Sequence, residues 1–272
     1  MADILLLAIE TTGPRASAAL LDGAGHLSEK TADGEMNHLT GLVGMIGGLL
    51  AERGARMDDV THVAASQGPG SFTGIRIGIS TARALAQTKN LPAVGVPTLE
   101  SFVYHLPACK GVVCPVFDAR RSQVYSGAAY LDASAGQEPT ALDAAAGPQI
   151  LVAGNAWAPE DLLAALGEIP WAAHGGLSRE IVFFGDGLSV YGDLIRAWQP
   201  VAAAQGVTIT FAPEAERGQR ASSVARLALH RVKEGRVSAF QDLTPVYMRQ
   251  AEAQRKLDAG VQFVRPANLS GS

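Results

Sequence analysis

The chain is poor in the residues that build metal centres. Its two cysteines, Cys109 and Cys114, have no second pair beside them, and a zinc site needs about four ligands. They read as reduced thiols near the start of a buried strand. The histidines at 26, 38, 62, 105, 174 and 230 match no ligand spacing. His38 opens a helical stretch, but Leu42 stands where a helical metal pair needs its second histidine. No apolar run approaches the roughly 20 residues of a membrane span. The run 4–9 is short and no positively charged leader precedes it, so no membrane role and a cytoplasmic location are expected. Charge is sparse too, at 18% of residues with a formal net charge of −4, which excludes a protein whose main task is to coat nucleic acid. Lysine and arginine do gather over 217–236 and 249–256, in the manner of solvated helix faces.

Apolar residues supply 47% of the 272 positions, enough for two ordinary domains with substantial cores. Strands are expected at 4–9, 16–21 and 27–31, forming an antiparallel meander, followed by a helix at 36–53 and a strand at 62–66. A helix at 73–88, a strand at 93–96 and a helix from 98 complete the first half. The pattern then restarts, with strands at 112–117 and 124–130, one near 150, and others at 181–184 and 208–211. Helices are expected at 159–166, 189–198 and 220–233. The fold class is therefore α/β, built from two related βββαβα-type domains. We place the first domain at 1–105, the second at 106–235 and a tail at 236–272, with the last helix free to pack back on the first domain. The stretch 133–176, rich in Ala, Gly and Pro, reads as loops and small helices, and the polar end from Gln250 onward as poorly ordered.

Two glycine-bearing segments carry the functional reading. Gln67-Gly-Pro-Gly-Ser-Phe-Thr-Gly74 is a turn that opens into a helix with Gly74, Gly78, Ala82 and Ala86 at every fourth position. No Lys-Ser/Thr pair follows, so it is not a Walker A loop. The serine is not at the centre of Gly-x-Ser-x-Gly, so it is not a nucleophile elbow. Ser71 or Thr73 is expected to cap the helix. In the helix 36–53, Leu39, Leu42, Val43, Ile46, Leu49 and Leu50 share one face, with Asn37, Gly41, Gly44 and Gly48 opposite. With Gly47, this row costs roughly 3–4 kcal/mol of helix propensity, a cost a purely solvated helix has no reason to carry. Two explanations stand. The row receives a partner helix, flanked by His38 and Met45, or it packs against the chain's own helix 74–86.

Glu10, Asp118 and Asp186 each follow an expected strand. Such positions can converge on a cleft between two domains and place carboxylates near a nucleotide and magnesium; equally, each can only cap its turn. A stand-alone ATP-dependent small-molecule kinase or carbamoyl transferase would build its ATP site from Glu10, Asp118 and the glycine loops. A peptidase would lack both metal pair and triad.

Leu7-Ala-Ile-Glu-Thr-Thr12, Gln67-Gly-Pro-Gly-Ser-Phe-Thr-Gly-Ile-Arg-Ile-Gly78, Val94-Gly-Val-Pro-Thr-Leu-Glu100, Asp118-Ala-Arg-Arg121 and Pro245-Val-Tyr-Met-Arg249 together resemble the TsaB (YeaZ) family of bacterial tRNA-modification subunits. The resemblance implies an actin-like, sugar-kinase-like (ASKHA) ATPase fold. It implies a non-catalytic dimerisation subunit in the synthesis of threonylcarbamoyladenosine on tRNA. Its partners would be a catalytic TsaD-like paralogue and a TsaE-like ATPase, with a homodimer in isolation and tRNA reached only through the complex. Carried over, the interface comprises Asn37, His38, Gly41, Gly44, Met45, Gly48, Gly74, Ile77, Gly78 and Thr81. No cofactor is expected; at most, vestigial nucleotide contacts would fall on Glu10, Thr11, Thr12, Gly70, Asp118 and Gly185.

Overall fold

The computed structural model describes residues 4–32, 39–106, 109–131, 147–174 and 176–248. The first sheet holds β1 (Leu5–Glu10), β2 (Ser17–Asp22), β3 (Leu27–Thr31), β4 (His62–Gly68) and β5 (Ala93–Pro97). Their order is β3-β2-β1-β4-β5. β1 runs antiparallel to β2, pairing Leu5 with Asp22 through Glu10 with Ser17, and parallel to β4. β1 is a near-continuous apolar run and β4 is apolar over Val63–Ala65, both strands lying with covered faces. Helices α1 (Leu39–Glu52) and α2 (Phe72–Gln87) cover one face, α1 on β2 and β3, α2 on β4 with β1 and β5. Leu42, Ile46 and Leu49 of α1 meet Ile75, Ile79 and Ala82 of α2 in that layer's core.

The expected helix from 98 is one turn, α3 (Thr98–Ser101), continued by a 3-10 turn to Tyr104. The second sheet repeats the first, with β6 (Val112–Asp118), β7 (Val124–Leu131), β8 (Pro148–Trp157), β9 (Glu180–Phe184) and β10 (Thr208–Phe211) in the order β10-β9-β6-β7-β8. Two antiparallel partners followed by parallel additions recur in both halves, which is the duplicated α/β architecture read from the sequence. Helices α4 (Pro159–Gly167) and α5 (Leu188–Ala204) cover its outer face. The strand expected near 150 is β8, ten residues long and paired with β7 through two register shifts, and the helix expected at 159–166 is α4. Residues 132–146, and the tail from 249, lie outside the described residues.

Helix α6 (Ala221–Lys233) returns to the first sheet and packs on β1 and β2. Its flanking Arg220 supplies no side-chain cap. The helix's first N–H groups are taken instead by first-sheet side chains, Ala221 N–H by Ser17 Oγ at 2.8 Å and Ser222 N–H by Glu29 Oε1 at 3.0 Å. A single core runs between the sheets. Leu6, Ala8 and Val96 on one side meet Phe117, Val182 and Phe184 on the other through Phe102, Tyr104 and the apolar face of α6. Among the described residues no helix is long and apolar enough to cross a membrane.

His105 fastens this junction. Its ring stacks on Phe102 at 4.0 Å and meets the edge of Phe184. Nε2–H donates to Gly218 O at 2.8 Å, and Nδ1 accepts from Ser223 Oγ at 2.9 Å. Burial, with Arg220 and Arg226 nearby, lowers its pKa to about 4. The folded state thus holds the neutral ring, and its stabilising share is full above the unfolded pKa near 6.5. It falls away as pH drops toward 4, a total of about 3 kcal/mol. Urea titrations from pH 7.5 to 4.5 check this. His105→Gln is expected to flatten the profile between 6.5 and 4, and an unchanged slope would show that the ring titrates normally.

Candidate functional site

The two glycine rows do different work. On α1, a Cβ added at Gly41, Gly44 or Gly47 would meet nothing within 4 Å among the described residues, and at Gly48 only the tip of Lys30, at 3.2 Å. All but the half-buried Gly48 are exposed, so α1 presents nearly bare backbone to the outside. The chain's own α2 does not fill this space. Met45 is half-buried against the core. Val43, expected on the core face, is 51% exposed. It lies about 100° around the helix from Leu42 and beyond the edge of the apolar stripe. Asn37 and His38 lie outside the described residues.

On α2 the small residues face inward. A Cβ on Gly74 would sit 1.9 Å from Thr11 O, and one on Gly78 2.3 Å from Thr11 Oγ1. Thr11 Oγ1 also donates to Gly74 O at 2.7 Å. The close backbone approach that the spacing announced is to the chain's own β1. Gly74, Gly78 and Thr81 are buried, so of the four α2 residues assigned to a partner surface only Ile77 is even partly exposed. The outward residues of α2 on the flank toward β1 and α1 are Thr73, Ser80 and Ala84, with Ile77 between them.

At the N-terminus of α2 a cleft of about 580 Å³ opens between the sheets, lined by Thr12, Gly70, Thr73, Asp118, Asp186 and Gln219 among others. Gly185 lies in an adjoining cavity of about 450 Å³ that shares Pro14, Asp186 and Gln219 with it. Gly70 has φ +152° and no room for a side chain, its Cβ falling 2.6 Å from Thr12 O. Ser71 caps α2, accepting from Gly74 N–H at 3.2 Å. The topology thus brings Thr12, Gly70 and Asp118 together. It does not bring Glu10. That carboxylate is fully buried and saturated by Thr12 N–H, Thr12 Oγ and Ser66 Oγ. Burial raises its pKa, against the pull of those hydrogen bonds. Thr11 is likewise buried beneath α2.

Two carboxylates remain at the cleft. Asp118 accepts from Arg120 N–H at 2.8 Å. Asp186 accepts from Asp118 N–H at 3.4 Å, and burial, with Asp118's charge adding, raises its pKa. Among the described residues no cluster of three or more His, Cys, Asp or Glu could hold a metal ion. Glu10 is thus spent inside its own turn, and the carboxylates that line the cleft are Asp118 and Asp186.

Sequence reasoning missed a cluster on the other flank of α2. Tyr247 stacks obliquely on Phe72, with centroids 5.1 Å apart. Arg76 lies 4.0 Å over the Phe72 ring and donates through Nε to Tyr247 Oη at 3.0 Å. The segment carrying Tyr247 is tied down by Val246 N–H to Gln67 O at 2.8 Å and Gln67 Nε2 to Thr244 O at 2.8 Å. Phe72 and Arg76 lie in the quoted Gln67–Gly78 run and Tyr247 in the quoted Pro245–Arg249 run, but the two runs stand about 170 positions apart and nothing local announces that they meet.

Comparison with known proteins places this geometry. The family model for TsaD, tRNA N6-adenosine threonylcarbamoyltransferase, matches residues 31–257. The tRNA threonylcarbamoyladenosine biosynthesis protein TsaB of Bacillus subtilis is 33% identical over 122 residues, 45% of this chain and 53% of that protein. The chain thus spans about half the length of that relative. The Escherichia coli protein of the same name is 28% identical over 260 residues, 93% of this chain and 97% of that one. Among solved structures, YeaZ from Pseudomonas aeruginosa superposes with a TM-score of 0.69 at 23% identity, covering 90% of this chain and 99% of that one, and so shares the fold.

Proposed function

The chain belongs to the tRNA N6-adenosine threonylcarbamoyltransferase family, in its TsaB/YeaZ branch, and from that premise we propose that it is a non-catalytic subunit of threonylcarbamoyladenosine synthesis on tRNA. Its work is to dock a TsaD-like catalytic paralogue and hold it in an active arrangement. The observation that carries this is the empty space over Gly41, Gly44 and Gly47. A helix that gives up roughly 1 kcal/mol at each glycine and packs none of these three against the described residues gains from the row when another backbone comes down on it. Exposed Val43 and the small outward residues of α2 extend the same surface. In isolation a second copy would occupy it, so homodimer and heteromer would compete for one face. A TsaE-like ATPase would join the heteromer, in the cytoplasm.

No cofactor of its own enters this reading. A stand-alone kinase or carbamoyl transferase would need an open carboxylate at the first strand end, and Glu10 is sealed. The test is reconstitution. The purified chain is expected to show no threonylcarbamoyl transfer alone and to raise the paralogue's rate when added in equal amount. Transfer by the isolated chain, or no stimulation despite a stable complex, overturns the proposal.

A further inference from the structure

At 100° per residue, the solvent-facing side of α2, with Ile77 and Arg83 half-buried and the others exposed, divides into two flanks. Thr73, Ile77, Ser80 and Ala84 lie toward β1, the side of α1. Phe72, Arg76 and Arg83 lie on the other, over β4 and β5, because Ile75 beside them contacts Gly68 of β4. This second flank carries two arginines. α2 carries no acidic residue, and neither Arg76 nor Arg83 pairs with a carboxylate among the described residues. Two turns separate the arginines, about 10.5 Å along the axis. Against them stand two exposed rings, Phe72 and Tyr247, each at 40% exposure, with Val246 at 48%.

Exposed rings on a globular surface are ordinarily loose. Tyr247 is not: its ring rests on Phe72, its hydroxyl accepts from Arg76, and its backbone is strapped to Gln67. A ring held in place beside guanidinium groups that no carboxylate among the described residues neutralises is the arrangement that single-stranded nucleic acid uses, bases stacking on aromatic faces while cations follow the phosphates.

We infer that this flank binds RNA directly, with a base stacked on Tyr247 and backbone phosphates on Arg76 and Arg83, leaving the glycine face of α1 free for the protein partner. The inference goes beyond the scaffold reading and rests on it only for the choice of tRNA as the nucleic acid.

The experiment uses the full chain and a fluorescein-labelled unmodified tRNA transcript, followed by anisotropy between about 50 and 200 mM salt. The double variant R76Q/R83Q is expected to bind about tenfold more weakly and to lower the slope of log K against log salt by about 1.4, for two single-strand phosphate contacts. Y247A is expected to lose about tenfold with its salt slope unchanged, since stacking releases no counterions. Unaltered circular dichroism and melting temperature establish that the variants are folded. Association of each variant with the TsaD-like paralogue is measured alongside. No binding by the parent chain at 50 mM salt, or equal affinity and slope in R76Q/R83Q, overturns the inference. So does a variant that keeps RNA but loses the paralogue, which makes the flank a protein contact. Arginine-dependent RNA binding without any paralogue association upholds the inference and sinks the scaffold reading instead.

Discussion

Replacing Gly44 by leucine is expected to raise the melting temperature of the monomer, read at a concentration below self-association, and to weaken both its self-association and its complex with the paralogue. The two effects have opposite signs because they arise on opposite sides of the same atom. Among the described residues a Cβ at Gly44 meets nothing within 4 Å, so leucine enters without strain and the helix gains about 0.8–1 kcal/mol of propensity. For a docked helix the same side chain is an obstruction at the point of closest approach, and a buried clash of this kind costs typically 1–3 kcal/mol even after repacking. That cost corresponds to a loss of affinity for the paralogue of about 5- to 150-fold. Calorimetric melting of the variant together with analytical ultracentrifugation of the mixture reads both quantities. A variant that melts higher and still associates normally would show that α1 is no interface. A variant that melts lower would show that the space over Gly44 is filled in solution. Gly47→Leu extends the test one turn along, whereas Gly48, beside Lys30, is the less informative position.

The contrast between the two rows also explains how far the sequence could be read. Element order, the duplicated sheets and the glycine-faced helix follow from local periodicity and turn chemistry, and those parts of the chain speak for themselves. Which way a glycine faces is decided elsewhere. Gly44 and Gly74 look alike in a small-xxx-small pattern, yet the first faces space and the second faces Thr11 O, a partner 63 positions earlier. The same limit hid the fate of Glu10. A carboxylate after a strand can open into a cleft or turn inward, and Ser66, 56 positions away, supplies a hydroxyl that turns it inward. Val43 shows the limit at finer scale. Its hydropathy placed it with Leu42 and Ile46, but the stripe on α1 is narrow, since β2 and β3 cover only the arc from Leu49 to Leu50. Burial of polar groups and the close approach of distant segments are tertiary facts; the pattern announces that something must approach and leaves its identity open.

Gly74→Ala is expected to be the most damaging single methyl group in the first domain, and to act through stability. The added carbon would lie 1.9 Å from Thr11 O and 3.0 Å from Thr11 C. Both are backbone atoms of the turn after β1, which cannot rotate aside as a side-chain tip would. Either α2 lifts off the sheet or the turn shifts outward. Lifting α2 opens the contacts of Ile75 and Ile79 with the core and breaks the Thr11 Oγ1 to Gly74 O hydrogen bond. Shifting the turn pulls Thr12 from Glu10, leaving a buried carboxylate short of donors. Overpacking at about 3 kcal/mol and the lost hydrogen bond at about 1 kcal/mol sum to about 4 kcal/mol, or about 10 °C in melting temperature for a chain of this size. The control is Thr11→Ser, which keeps the hydroxyl and the backbone and is expected to cost far less. A Gly74→Ala variant that melts within 2 °C of the parent would mean that α2 sits farther from β1 than described, and with it the distinction between an inward row and an outward one would fall.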